Sequence, residues 1–105
     1  ACCEFFNVRT AWHGPGNVSA VGHAVNMHLD LVTPNFGIQE QSEFSAAVQE
    51  VFPGVPEIRG GYMYSNDRPG LGIDVDEKAA AKYPYKTPGH NRGEERRLDG
   101  SVQRP

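Results

Sequence analysis

The chain has 105 residues, of which 38% are apolar, and a formal net charge of −3; this size and composition suit one ordinary domain with a core. Residues 1–84 carry ten acids against five bases, whereas residues 85–105 carry five bases against three acids. This balance excludes a nucleic-acid surface, which needs a dense stripe of Lys and Arg, and no apolar run of about 18 residues is present to span a membrane.

The amino-terminal residues predict the end of a helix followed by a strand. Residues 1–5 have the apolar character of a last helical turn, and we expect the beginning of this helix to lie upstream. Residues 6–12 predict a β-strand that runs into His13-Gly14-Pro15-Gly16. Cys2 and Cys3 are adjacent, which disfavours a disulfide between them, so we expect inert thiols in a reducing cytoplasm.

Residues 18–32 predict one amphipathic helix. Asn17 or Ser19 can serve as its N-cap, and Pro34 prevents it from continuing. One face of this helix is marked by residues at offsets of three, four, seven and eleven positions, namely Val21, Ala24, Val25, His28 and Val32.

A second strand is predicted over residues 35–39, and it runs into Glu40. Strand, helix and strand in this order are typical of a parallel α/β sheet, in which functional side chains follow the strand ends at one edge. We therefore expect His13 and Glu40 to lie side by side in space, although they are far apart in sequence.

The remaining residues predict short elements. A helix is predicted over residues 43–51, and a hairpin around a Gly-Gly turn over residues 57–64. Residues 69–75 predict a tight turn that leads into an alternating strand, and the next aspartate caps a short helix over residues 77–82. From Tyr83 onward Pro, Gly and charged residues dominate, so we expect an irregular end.

Several strings of the sequence carry a resemblance to a known family. They are RTAWHGPG at residues 9–16, GHA at 22–24, HLDL at 28–31, PNFGIQE at 34–40, PGLGIDVDE at 69–77 and AAKYPY at 80–85. Together they resemble the carboxy-terminal part of the mannonate dehydratases, a family of the enolase superfamily that includes starvation-sensing proteins. The residues around His13 and Glu40 are specific to the family, whereas the Pro-Gly-Leu-Gly string is common to the superfamily.

The resemblance implies an α/β fold, the carboxy-terminal portion of a modified TIM barrel of the (β/α)7β type with a capping domain over its mouth. Residues 1–53 would form the last strands and helices of the barrel, with the seventh strand at about 6–12 and the eighth at about 35–39. Residues 54–105 would form a hairpin, the Pro-Gly-Leu-Gly segment and a tail returning to the cap. A complete barrel needs about 250 residues, so we expect a fragment.

The resemblance also implies a chemistry, the Mg²⁺-dependent removal of water from a sugar acid of the D-mannonate or D-gluconate type, giving a 2-keto-3-deoxy acid. In the family the metal ligands and the catalytic acid and base lie upstream, so no metal-binding or catalytic residue is expected within this chain, and the chain alone is expected to be inactive. His13, Asn17 and Glu40 match substrate-binding positions of the family. The intact protein is then expected to be a cytoplasmic homo-oligomer.

One of these positions departs from the family pattern. The family has an aspartate where this chain has Asn17, and an amide loses the charge while keeping one acceptor and gaining two donors. This departure favours an alternative function, a non-catalytic or regulatory relative that acts as a binding protein.

Each candidate residue also has a purely structural interpretation. His13 could cap a strand end, Glu40 could favour the dipole of the following helix, and Asn17 could be an N-cap. His23 and His28 are five positions apart and do not form a metal-binding pattern, and we interpret His28 as a satisfied helix histidine packed against the barrel.

Overall fold

The computed structural model describes residues 2–86, 95–96, 99 and 102–103. Along the chain the elements are α1 (Cys2–Phe5), β1 (Thr10–Trp12), α2 (Ala20–Val32), β2 (Phe36–Gln39), α3 (Ala46–Val51), β3 (Glu57–Arg59), β4 (Tyr62–Tyr64), α4 (Glu77–Ala80), β5 (Glu95–Arg96) and β6 (Val102–Gln103). β1 pairs with β2 in parallel, and α2 connects them and lies against β2. The predicted strand, helix and parallel strand are therefore confirmed.

The first strand is shorter than predicted. It covers only Thr10–Trp12 because the residues before it close the end of α1 instead of extending the strand. The amide of Val8 donates to the carbonyl of Cys3 at 2.8 Å, and Asn7 has a φ of 54°. A left-handed residue just past the last turn is a common helix ending, and Asn tolerates this conformation better than most residues.

Helix α2 begins two residues later than predicted because Ser19 is its N-cap. The hydroxyl of Ser19 accepts from the amide of Gly22 at 3.1 Å, which satisfies one of the free amide groups of the first turn. At the other end the hydroxyl of Thr33 donates to the carbonyl of Leu29 at 2.6 Å, one residue before Pro34. The N-cap is therefore Ser19 and not Asn17.

The buried face of α2 is rotated from the predicted one. Of the predicted face only Ala24 is buried, while Val25 and Val32 are exposed. Small alanines let a helix approach a sheet closely, so the contact with β2, and not the positions of the valines, decides which side is covered. The residues that are buried are Ala20, His23, Ala24 and Met27.

Helix α3 begins three residues later than predicted, because its N-cap is Ser45. The hydroxyl of Ser45 accepts from the amide of Val48 at 3.3 Å. Phe44 therefore lies before the helix, where its ring meets the ring of His23 edge-on at 5.5 Å between centroids. This contact ties the segment after β2 to α2.

The hairpin of β3 and β4 is confirmed. The two strands are antiparallel, with Arg59 opposite Tyr62, and the turn residues Gly60 and Gly61 both have positive φ. Positive φ at both turn positions is the geometry that matches the twist of a two-residue hairpin.

The strand predicted within residues 69–75 is wrong. The amide of Asp74 donates instead to the carbonyl of Pro53, in the segment after α3, at 3.1 Å, and the amide of Gly72 donates to the carbonyl of Pro69 at 3.3 Å. The side-chain amide of Asn66 donates to the carbonyls of Gly54 and Gly72, each at 3.0 Å. Because these bonds reach separate residues one at a time, no ladder forms, although the side chains alternate in polarity.

Helix α4 is confirmed, although it ends at Ala80 and not at residue 82. Asp76 caps it by accepting from the amide of Ala79 at 2.9 Å. The expectation of an entirely irregular tail is corrected by β5 and β6, which form a short antiparallel pair; the other tail residues beyond 86, apart from Asp99, lie outside the described part of the chain. The domain boundary after residue 53 stays a prediction.

A cluster of three polar side chains joins α3 to the segment after α4. Lys82 Nζ donates to Glu50 Oε1, and Tyr83 Oη donates to Glu50 Oε2 at 2.8 Å. The hydrogen bond from Lys82, followed by the one from Tyr83, lowers the pKa of Glu50 below 4.5. The hydrogen bond to Glu50 raises the pKa of Tyr83 above 10.0 and that of Lys82 above 10.5.

This cluster predicts the pH range over which it stabilises the fold. The contribution of Glu50 is present above its unfolded pKa of 4.5 and is lost as the pH falls through its lower folded value. The contribution of Tyr83 is present below its unfolded pKa of 10.0 and is lost as the pH rises through its higher folded value.

We expect Glu50→Gln to move one tyrosine of the chain to a lower ionisation midpoint in a difference absorbance titration. Glu43→Gln, which removes another exposed carboxylate, is expected to leave all midpoints in place, and identical titrations of the two variants would contradict the prediction.

Candidate functional site

The candidate site lies where β1 and β2 end. Trp12 is opposite Gln39, and the amide of Glu40 donates to the carbonyl of Trp12 at 3.1 Å. His13 and Glu40 therefore leave the sheet together, and His13 Nε2 lies 3.6 Å from Glu40 Oε2. Their side chains are 73% and 64% exposed. The predicted juxtaposition is confirmed, whereas the substrate-binding role of the two residues stays a prediction.

A β-bulge decides which residue of β2 meets His13. Thr10 is opposite Phe36, but Ala11 is opposite Ile38, so Gly37 is an extra residue on β2. With unbroken pairing His13 would lie opposite Gln39 and not Glu40. Because side chains alternate between the faces of a sheet, a shift by one residue exchanges one face for the other.

The loops after the two strands touch through their backbones. Gly14 is buried, and a Cβ atom built on it would overlap the carbonyl oxygen of Glu40. Ser42 Oγ donates to the carbonyl of Gly14 at 3.4 Å, and Asn26 Nδ2 of α2 donates to the carbonyl of His13 at 3.5 Å. Sequence reasoning overlooked the roles of Gly14, Gly37 and Ser42. The Gly-Pro-Gly turn was a signal for Gly14, and a glycine within a predicted strand was a signal for the bulge at Gly37, whereas Ser42 had none.

Asn17 lies in the loop after β1, four residues beyond His13. The two residues line an open depression of about 550 Å³ together with Pro15 and Gly16. Because Ser19 caps α2, the N-cap role considered for Asn17 is wrong, and its exposed side chain lies two residues before the cap. The structure therefore brings Asn17 and His13 to one surface, with Glu40 adjacent to His13.

The chemistry of this surface is hydrogen bonding to a polar ligand. An imidazole can donate and accept, a carboxylate accepts at two oxygens, and an amide does both. Mg²⁺ prefers several oxygen ligands in an octahedral arrangement, and a single carboxylate beside a histidine does not provide them. Within residues 2–86 and the short described parts of the tail, no group of three or more His, Cys, Asp or Glu residues is placed to hold a metal ion.

The other histidines and the cysteines have separate places in the fold. His28 Nε2 lies 3.3 Å from the carbonyl of Leu71, which confirms that it is a satisfied helix histidine. His23 is only 3% exposed, and within the described part of the chain its Nδ1 has no hydrogen-bond partner. Cys2 and Cys3 are free and exposed, and their inertness stays a prediction.

The pattern of the family described as Enolase C-terminal domain-like matches residues 1–79. The chain belongs to this family. It is thus a member of the enolase superfamily, and its α/β elements are consistent with a portion of a TIM barrel. No helix in the described part of the chain is long and apolar enough to span a membrane.

Comparison with individual proteins gives the same assignment. A D-galactonate dehydratase family member of Salmonella virchow is 56% identical over 102 residues, which are 97% of this chain and 24% of the relative. The D-galactonate dehydratase family member RspA of Pantoea ananatis is 53% identical over 102 residues, again 97% of this chain and 24% of the relative. The chain thus spans about a quarter of the length of these relatives.

One solved structure is similar along nearly the whole chain. It is an enolase from Pantoea ananatis crystallised with D-gluconate and Mg, with a TM-score of 0.79 and 51% identity, covering 97% of this chain and 25% of that one. The relatives support a sugar-acid dehydratase family, and their names refer to galactonate and gluconate. None of these names mentions mannonate, so the specificity for mannonate that the resemblance implied stays a prediction.

Proposed function

We propose that the chain is the carboxy-terminal, substrate-holding part of a Mg²⁺-dependent sugar-acid dehydratase, a hydro-lyase that acts on D-mannonate or D-gluconate type acids. The observation that carries the proposal is the 3.6 Å approach of His13 and Glu40 at the ends of two adjacent parallel strands. Strand ends of this kind are where barrel enzymes place their site residues. The similarity to a gluconate-bound relative supports the class of substrate.

In this proposal the chain binds and orients the sugar acid. Glu40 accepts hydrogen bonds from hydroxyls, His13 donates to hydroxyl or carboxylate oxygens, and the amide oxygen of Asn17 accepts from a hydroxyl as the family aspartate would. The side chains of His13 and Glu40 are both more than half exposed, so a ligand can reach them. Mg²⁺, which stabilises negative charge on the substrate when bound, and the groups that move protons are provided outside this chain. Orientation alone is worth several kcal/mol of the barrier in enzymes.

The proposal is tested with a hybrid protein in which this chain replaces the corresponding last quarter of the Pantoea ananatis relative. We expect Mg²⁺-dependent formation of a 2-keto-3-deoxy acid by the hybrid from at least one of D-mannonate, D-gluconate and D-galactonate. The 105-residue chain alone is expected to form none. Turnover by the chain alone, or an inactive but folded hybrid beside an active relative, would overturn the proposal.

Asn17→Asp is expected to raise kcat/KM of the hybrid. A charged acceptor makes a stronger hydrogen bond to a hydroxyl than an amide does, by about 1 kcal/mol, which corresponds to about a fivefold gain. Asn17→Ala, which removes the polar group, should lower kcat/KM by a similar factor. Equal values for both variants would show that the side chain at this position does not contact the substrate.

A second candidate is a non-catalytic or regulatory binding protein, and Asn17 is the observation that favours it. Such a protein would bind sugar acids through His13 and Glu40 without converting them. Calorimetry of the hybrid with D-gluconate separates the candidates, because binding without turnover in both Asn17 and Asn17→Asp forms supports the second one.

We also infer a cytoplasmic homo-oligomer, which sedimentation of the intact protein would test.

A further inference from the structure

We propose that Gly14 and Ser42 are positioning residues that set the separation of His13 and Glu40. Neither residue is among those assigned to the substrate, and the kinetic part of this proposal rests on the proposed function. The geometric part rests only on contacts between the loop after β1 and the loop after β2.

Gly14 is a glycine because of a contact and not because of its backbone conformation. Its φ is not positive, unlike that of Gly54 or Gly72, so another residue could adopt the same backbone. The position is nevertheless buried, and an added Cβ would overlap the carbonyl oxygen of Glu40 and lie 3.0 Å from Gln39 Nε2. Backbone cannot yield as the end of a flexible side chain can, so a side chain here must push the Glu40 backbone away from His13.

Ser42, in the loop after β2, holds the backbone of Gly14 from the other side of this contact. Its hydroxyl donates to the carbonyl of Gly14 at 3.4 Å. On the sheet side, the amide of Glu40 donates to the carbonyl of Trp12, and Gln39 Nε2 donates to the carbonyl of Glu40 at 2.6 Å. The backbone of Glu40 is thus held between Trp12 and Gly14, which leaves the exposed Glu40 carboxylate directed beside His13.

Gly16 provides a matched control in the same turn. It is exposed, and a Cβ built on it would meet only Ser42 Oγ, at an ordinary distance of 3.6 Å. Gly14→Ala and Gly16→Ala therefore make the same chemical change two residues apart, and only the first one reaches the Glu40 backbone.

The test compares these two variants in the hybrid. We expect Gly14→Ala to lower kcat/KM about 10²-fold, as displacements of about 1 Å do in enzyme sites, while the affinity for Mg²⁺ stays unchanged because the metal is held elsewhere. We expect the ¹³C signal of the His13 ring, assigned by its loss in His13→Gln, to shift in Gly14→Ala. Gly16→Ala, which does not reach the Glu40 backbone, should leave Mg²⁺ affinity and the His13 signal as they were and should lower kcat/KM much less than Gly14→Ala does, although Gly16 lines the same depression as His13. A Gly14→Ala protein that matches Gly16→Ala in kcat/KM and in the His13 signal would overturn the proposal.

Variants of Ser42 test the positioning role if the Gly14→Ala protein does not fold. Loss of one neutral hydrogen bond is worth about 1 kcal/mol, so Ser42→Ala is expected to lower kcat/KM about fivefold, and Ser42→Thr, which keeps the hydroxyl, to restore it. Equal kcat/KM and equal His13 signals for the two Ser42 variants would overturn the proposal. Should the unsubstituted hybrid show no turnover, the proposed function fails, but the His13 signals of the Gly14, Gly16 and Ser42 variants still confirm or refute the positioning role.

Discussion

His13→Ala and Glu40→Gln are each expected to lower kcat/KM of the hybrid for its preferred sugar acid about 10²-fold, since loss of an orienting contact misplaces the substrate. Both side chains are exposed and hold no part of the described core. The unfolding temperature should therefore change little. The loss should fall on kcat/KM and leave Mg²⁺ affinity intact.

The double variant His13→Ala/Glu40→Gln tests whether the two residues act together. Because His13 Nε2 and Glu40 Oε2 are 3.6 Å apart, we expect the two residues to contact one ligand, and effects of neighbouring residues of this kind are not additive. We expect the double variant to lose clearly less than the product of the two single losses. Independent, fully multiplied losses would indicate two separate roles.

Matched controls come from the same chain. His28→Gln changes a histidine that contacts the carbonyl of Leu71, and Glu43→Gln changes an exposed acid three residues after Glu40. Both are expected to leave kcat/KM within about twofold, and His28→Gln is expected to lower the unfolding temperature slightly because it alters the hydrogen bond to Leu71. A His13→Ala protein as active as His28→Gln would contradict the site.

Gly54→Ala is expected to lower the free energy of unfolding more than any other single substitution described above. Gly54 has a φ of 95°, a conformation that costs residues with a side chain about 1–3 kcal/mol. In addition, an added Cβ would overlap the carbonyl oxygen of Gly72. Asn66 bridges both glycines, so the clash would break the contact that joins the end of α3 to the segment before α4.

Gly60→Ala separates the two causes. Gly60 has a φ of 58°, but an added Cβ would have no atom within 4 Å, so only the conformational cost applies. We expect the hybrid with Gly54→Ala to unfold several degrees below the one with Gly60→Ala in calorimetry, or to be insoluble. Equal unfolding temperatures would show that the Gly54 contact carries no stability.

The sequence predicted those elements whose ends are closed by nearby residues. Ser19 and Asp76 cap α2 and α4 within the first turn, and Gly60 and Gly61 close the hairpin of β3 and β4. These bonds join residues at most four positions apart, so the local pattern carries the information. The local pattern was misleading at residues 69–75, where the amide of Asp74 bonds to the distant carbonyl of Pro53 and not to a neighbouring strand.

What the sequence determined by itself about the candidate site was the order of strand, helix and strand, which places polar side chains at one sheet edge. The membership in the enolase superfamily also rests on sequence. The sequence also predicted that His13 and Glu40 lie side by side, but only the tertiary structure showed that this depends on the bulge at Gly37, which shifts the register between strands 26 residues apart. The tertiary structure also decided the contact of Gly14 with the Glu40 backbone and the buried face of α2. Register and burial are set by atoms brought together from distant parts of the chain, and no local pattern of residues records them.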